Sequence, residues 1–179
     1  IVLHPDRTAL RRVFGWRSGE SALGVYWRGT IHLLSPRAWI RTDEPEDMYQ
    51  AFRELNPIAH ELTHYFLDRL TSGNYPRWFT EGLAQWVEYR ATGYLWIEPS
   101  STLDQPLYTL RELQTEYDQL SNQPLAYRQS YLLVDWMVAR WGEEGMVQLV
   151  HRLGSGLPFD RAVQECYGRS MSEIYAHWE

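Results

Sequence analysis

Asn56-Pro57-Ile58-Ala59-His60-Glu61-Leu62-Thr63-His64-Tyr65-Phe66-Leu67-Asp68-Arg69-Leu70 carries an apolar pattern and a chemical one at once. Ile58, Leu62, Tyr65, Phe66 and Leu70 recur at helical spacing and make one apolar face. Asn56 and Pro57 supply an N-cap and a first helical position, and Thr71-Ser72-Gly73-Asn74 ends the helix. Inside it, His60-Glu61-Leu62-Thr63-His64 is an HExxH motif. Residues four apart share a helical face, so both imidazoles can reach one metal ion. Glu61, beside His60, is placed to hold a water on that ion. Zinc lowers such a water's pKa towards about 7, and the carboxylate takes its proton as the water attacks a carbonyl.

A catalytic zinc needs a third protein ligand and an open position. The metzincin pattern would put a Gly at 67 and a His at 70; Leu67 and Leu70 exclude it. Glu81 lies on the next helix, expected from Trp78 to Tyr89, between Phe79 and Leu83. A carboxylate among such neighbours is costly to bury unless it is paired or metal-bound. An exposed Glu81 on an amphipathic helix is the plain alternative, and Glu88 and Asp68 are rival ligands on helical-face grounds.

The flanks give an α+β organisation. Residues 1–45 are strand-rich: Gly24-Val25-Tyr26-Trp27 and Thr30-Ile31-His32-Leu33-Leu34 flank an Arg28-Gly29 turn. Thr8 to Phe14 is a short helix, and Thr42 to Asp47 an acidic loop around Pro45. Residues 46–179 are mainly helical. Beyond the Thr92-Gly93 break, 93–106 is an irregular loop with Pro99 and Pro106. Capping boxes at Thr109-x-x-Glu112 and Ser170-x-x-Glu173 start helices. Pro124 to Trp141 is a long helix stopped by Gly142, and Glu143 to Leu153 and Phe159 to Tyr167 follow it. The short connections point to a single domain over 1–179.

Composition narrows the function. A net charge of −6 disfavours nucleic acid or an anionic membrane as principal partner. The single Cys166 excludes an intrachain disulfide and any CxxC site, and reads as a small core residue. The most apolar run, Tyr131 to Trp141, is interrupted by Asp135 and Arg140, so no membrane span is expected. The chain starts at Ile1 with no signal peptide in view and reads as an excised or processed domain. That reading favours a bacterial extracytoplasmic or membrane-tethered location. All 17 basic residues are Arg, which no site chemistry demands. His4, His32, His151 and His177 read as packing or surface residues, and Trp136 and Trp141 as a core stripe.

The HExxH motif followed by Pro76-Arg77-Trp78-Phe79-Thr80-Glu81-Gly82-Leu83-Ala84 resembles the gluzincin metallopeptidases, most closely the bacterial peptidase MA-like domains. The resemblance spans roughly residues 55–179. It implies a zincin-like helical bundle, one zinc ion held by His60, His64 and Glu81, and Glu61 as general base. Ala126-Tyr127-Arg128-Gln129-Ser130 resembles the family's Y-x-x-[small] segment. In the related aminopeptidase branch the matching Tyr stabilises the oxyanion, which makes Tyr127 the candidate, with Tyr131 one turn on as the fallback. Packing at a helix start is the plain role for Tyr127. Two departures stand out. Sixteen residues separate His64 from Glu81, fewer than in the aminopeptidases, and no G-x-M-E-N segment precedes the zinc motif. Internal cleavage of a peptide or protein substrate is therefore favoured over aminopeptidase action, with the Gly24 to Leu34 hairpin as an edge to which an extended peptide adds. Trp78, Phe79 and Trp86 surround Glu81 and are expected to wall the zinc cleft.

Two other functional classes compete with a zinc peptidase. One is a zinc-binding but catalytically silent recognition or assembly module. The other is a metal-free helical interaction domain.

Overall fold

The computed structural model describes residues 1–17 and 22–178. A small sheet leads into a larger helical part. Its strands are β1 (Val2–His4), β2 (Gly24–Trp27) and β3 (Thr30–Leu34), in the order β1-β3-β2. β1 runs parallel to β3, with Val2 opposite His32, and β2 runs antiparallel to it, with Trp27 opposite Thr30. The β2–β3 turn is the expected Arg28-Gly29 pair, with φ of 47° and 83°. Positive φ at both positions gives the two-residue turn whose twist matches the flanking strands. Helix α1 (Arg7–Phe14) connects β1 to the hairpin. Asp6 caps it by accepting from the Ala9 N–H at 2.8 Å, and Leu10 is buried. Ile31, Leu33 and Leu34 give β3 its buried side chains.

Helix α2 (Pro45–Leu55) corrects the expected acidic loop over Thr42 to Asp47. Pro45 stands at the helix start, and Glu46 and Asp47 lie in the first turn, where their charges favour the macrodipole. The features read as a loop are thus a helix N-terminus. Met48, Phe52 and Leu55 recur at helical spacing along it, although none of its residues is buried.

Helix α3 (Ile58–Thr71) follows, entered through Asn56, whose Oδ1 accepts from the Ile58 N–H at 3.2 Å. Helix α4 (Arg77–Thr92) is the centre of the fold: the run from Trp78 to Gln85 is buried, together with Glu88. The capping box at Thr109 opens α5 (Leu110–Thr115) as expected. Helix α6 (Gln123–Gly154) contains the expected break, because Gly142 has φ 74° and ψ 169°, but the chain resumes its helix at once. Helices α7 (Phe159–Tyr167) and α8 (Met171–Trp178) close the bundle, and Ser170 and Glu173 make the second capping box. No helix among the described residues is long and apolar enough to cross a membrane.

Two contacts set the position of α4. Trp78 and Phe79, both fully buried, meet Phe159 of α7 edge-on, with ring centroids 5.7 and 5.2 Å apart. On the next turn Gly82 lies against α6, where a Cβ would stand 2.3 Å from the Ser130 carbonyl oxygen. Only a residue without a side chain lets α6 come this close. Gly82→Ala is therefore expected to destabilise the fold by about 1–3 kcal/mol, the usual cost of overpacking, although alanine is the better helix former. Urea unfolding checks this, and an unchanged or raised midpoint would contradict it.

Candidate metal centre

Helix α3 projects His60 and His64 towards α4, and α4 returns Glu81, 1% exposed. Glu81 Oε2 lies 3.4 Å from His60 Nε2 and 3.7 Å from His64 Nε2. One ligand atom from each of the three residues falls within 4.8 Å of the others, a grouping that could hold a metal ion. The other ring nitrogens are already engaged. His60 Nδ1 is 3.1 Å from Glu88 Oε2, and His64 Nδ1 is 2.6 Å from Thr80 Oγ1. Both rings are thereby turned so that Nε2 faces the centre, as metal-ligating histidines require.

The chemistry of this donor set fits a cation. Glu81 Oε2 is buried and has no hydrogen-bond partner. An orphaned carboxylate oxygen is costly, and a divalent ion shared with two imidazoles satisfies it. Its other oxygen, Oε1, lies 2.9 Å from Arg77 Nη2. Burial alone would raise the Glu81 pKa, but His64, His60 and Arg77 hold it down at about 2. At His60 burial works against the proton, yet the carboxylates of Glu81 and Glu88 lift the ring to about 10. Burial lowers His64 to about 4, helped by the charges of His60 and Arg77 and opposed by Glu81.

Glu61 sits beside this group, seated against the sheet. Its Oε2 accepts the backbone N–H of Tyr26 at 2.6 Å. A Cβ on Gly24 would lie 2.8 Å from the Glu61 Cγ, so the glycine in β2 makes room for the side chain. Burial pushes Glu61 up to about 7, with Glu81 raising it further and His60 opposing.

The four residues open onto a cleft of about 680 Å³, bordered by β2, α3 and α4 and reached by Tyr127 from α6. Burial, reinforced by the Glu81 charge, keeps the Tyr127 phenol protonated well above its usual pKa. Its ring packs edge-on to Trp96 at 5.3 Å. Tyr131, the fallback, pairs with Tyr89 at 6.1 Å and does not line the cleft. The rival carboxylates have other tasks. Glu88 holds His60, and Asp68 accepts the Tyr26 hydroxyl, which raises that phenol towards about 12 through burial first and the Asp68 contact second.

The aromatic wall differs from expectation. Trp78 and Phe79 are sealed in the core, and Trp86 faces a separate apolar groove. Trp16, Tyr26, Trp27 and Tyr75 line the cleft in their place. Position on α4 decides this, since the neighbours of an inward-facing residue on a central helix face other partners. Sequence reasoning also missed Thr80, Gly24 and the Tyr26 amide. Glu88 did leave a signal, as it falls two turns after Glu81 on the same helical face.

A family model described as the Peptidase MA superfamily matches residues 49–179, which contain His60, Glu61, His64, Glu81 and Tyr127. No curated protein and no solved structure matches the chain. The match covers α3, α4 and every helix after them together with most of α2, and with it the chain belongs to the Peptidase MA superfamily.

Proposed function

We propose that the chain is a zinc-dependent peptidase that cleaves within peptide or protein substrates, with His60, His64 and Glu81 as metal ligands. The buried, unpartnered Oε2 of Glu81, facing two imidazole Nε2 atoms whose Nδ1 atoms are both engaged, carries this reading. Bound there, zinc supplies Lewis-acid polarisation of the scissile carbonyl and acidifies a water.

Glu61 is the general base and acid in this reading. With no ion bound, burial lifts its carboxyl to about 7, and a dication at the centre would favour the carboxylate, the form that takes a proton from the attacking water and returns it to the departing amine. Tyr127, kept protonated at the cleft wall, donates a hydrogen bond to the developing oxyanion. The substrate lies along β2, an outer strand of the sheet, whose residues Gly24 to Trp27 border the cleft. Among the described residues lining the cleft, the one carboxylate outside the centre is Asp68, and it accepts the Tyr26 hydroxyl. Among the described residues of the cleft, then, no unengaged carboxylate stands ready for a substrate's amino terminus, which supports internal cleavage over aminopeptidase action.

Glu61→Gln is expected to lower peptide turnover by at least ~100-fold while zinc stoichiometry stays at one per chain, and Tyr127→Phe to lower kcat by about 100-fold. Turnover with intact and amino-blocked peptides, beside metal analysis, checks both. Undiminished turnover in Glu61→Gln would contradict the mechanism. One bound zinc without turnover in the wild-type protein would favour the silent recognition module.

Zinc binding should also be linked to pH. His60, at about 10, must lose its proton to bind, whereas His64 at about 4 and Glu81 at about 2 already lack theirs near neutrality. Affinity should therefore rise about tenfold per unit of rising pH between roughly pH 5 and 9, with one proton released per zinc. Calorimetry of Glu61→Gln in buffers of different ionisation enthalpy measures this without the Glu61 proton. An affinity independent of pH would contradict it.

A further inference from the structure

Arg77 holds a position that the proposed ligand set does not by itself explain. It stands in the first turn of α4, four residues before Glu81 and on the same helical face. Its Nη2 is 2.9 Å from Glu81 Oε1, and its Nε is 3.3 Å from Asp118 Oδ1 on the connection between α5 and α6. The guanidinium is thus clamped between two carboxylates, one buried and one exposed. The consequence falls on Glu81: Oε1 is taken, and only Oε2 is turned to the two imidazoles and left without a hydrogen bond.

We propose that Arg77 is a positioning residue that makes Glu81 a one-oxygen ligand and so preserves an open coordination position in the cleft. The inference rests on the reading of His60, His64 and Glu81 as a metal centre. A free carboxylate can bind a dication through one oxygen or both. A charge-assisted contact to a guanidinium removes one oxygen from that choice. Two imidazoles and one carboxylate oxygen would leave a tetrahedral zinc one position for substrate or water, whereas a second carboxylate oxygen beside that water would raise the coordination to five. Because Arg77 and Glu81 lie on one rigid helix, no substrate-dependent motion is needed to keep the selection. Arg77 also lines the cleft, with its side chain 47% exposed, so a change there need not disturb the core.

Cobalt(II) reports coordination number directly, since its visible absorption weakens as four-coordination gives way to five. Cobalt-loaded wild type, Arg77→Met and Arg77→Lys should be compared by visible spectroscopy, by zinc affinity and by kcat. The methionine variant should show weakened cobalt absorption and undiminished zinc affinity, with kcat lowered about 10–100-fold, the usual scale for outer-shell changes. The lysine variant, which keeps a cationic donor, should recover the wild-type spectrum in large part. Cobalt uptake with identical spectra in wild type and Arg77→Met would overturn the assignment of Arg77 alone. A fall in zinc affinity with an unchanged spectrum, the mark of a merely structural role, would overturn it too. Wild-type protein that takes up no cobalt would overturn the metal-centre reading and this inference with it.

Discussion

A carboxylate in the middle of a buried helix face is the constraint around which this molecule is arranged. Glu81 occupies a turn of α4 whose neighbours, Phe79, Leu83 and Ala84, are core residues, and it is itself 1% exposed. Water cannot solvate it there, so its charge has to be met by the protein. Arg77 meets one oxygen, and His60 and His64 approach the other. A metal ion shared by the last three completes the pairing in the proposed reading. The rise of His60 to about 10, to which Glu88 also contributes, and the fall of Glu81 to about 2 both reflect a buried carboxylate held beside positive charge.

Packing that looks remote from the site serves the same arrangement. Gly82 lets α6 approach α4 closely, and the same helix carries Tyr127 to the cleft. Gly24 lets Glu61 reach the Tyr26 amide, which ties the proposed base to the sheet. Trp78, Phe79 and Phe159 anchor the start of α4 from behind. The small sheet and the helical part thus meet at Glu61, and the cleft is the space left between β2 and the two site helices.

The site was legible in the sequence to the extent that helical periodicity determines geometry. Residues 60, 61 and 64 lie on one helix, so their mutual placement follows from its pitch. Glu81 required a second helix to pack in a particular register. Apolar neighbours argued for its burial, but the contact between the helices came only with the structure. The Arg28-Gly29 hairpin and the two capping boxes were local signals and appear where expected. Contacts that cross between elements were not legible. The Tyr26 amide on Glu61 joins positions 35 residues apart, and nothing in either neighbourhood marks the other. Helix α2 differs: Pro45, the acidic first turn and the 48, 52, 55 apolar spacing are all local helix signals, and a loop reading of Thr42 to Asp47 overlooks them.

The claim on which the rest depends is that Glu81 Oε2 and the two Nε2 atoms hold one metal ion. An anomalous difference map from zinc-soaked crystals, recorded on both sides of the zinc edge, tests it most directly. The account predicts one peak in the cleft, about 2.0–2.2 Å from His60 Nε2, His64 Nε2 and Glu81 Oε2, with Glu81 Oε1 still on Arg77. No peak at these residues, or a peak ligated by Glu88 or Asp68 in place of Glu81, would contradict it.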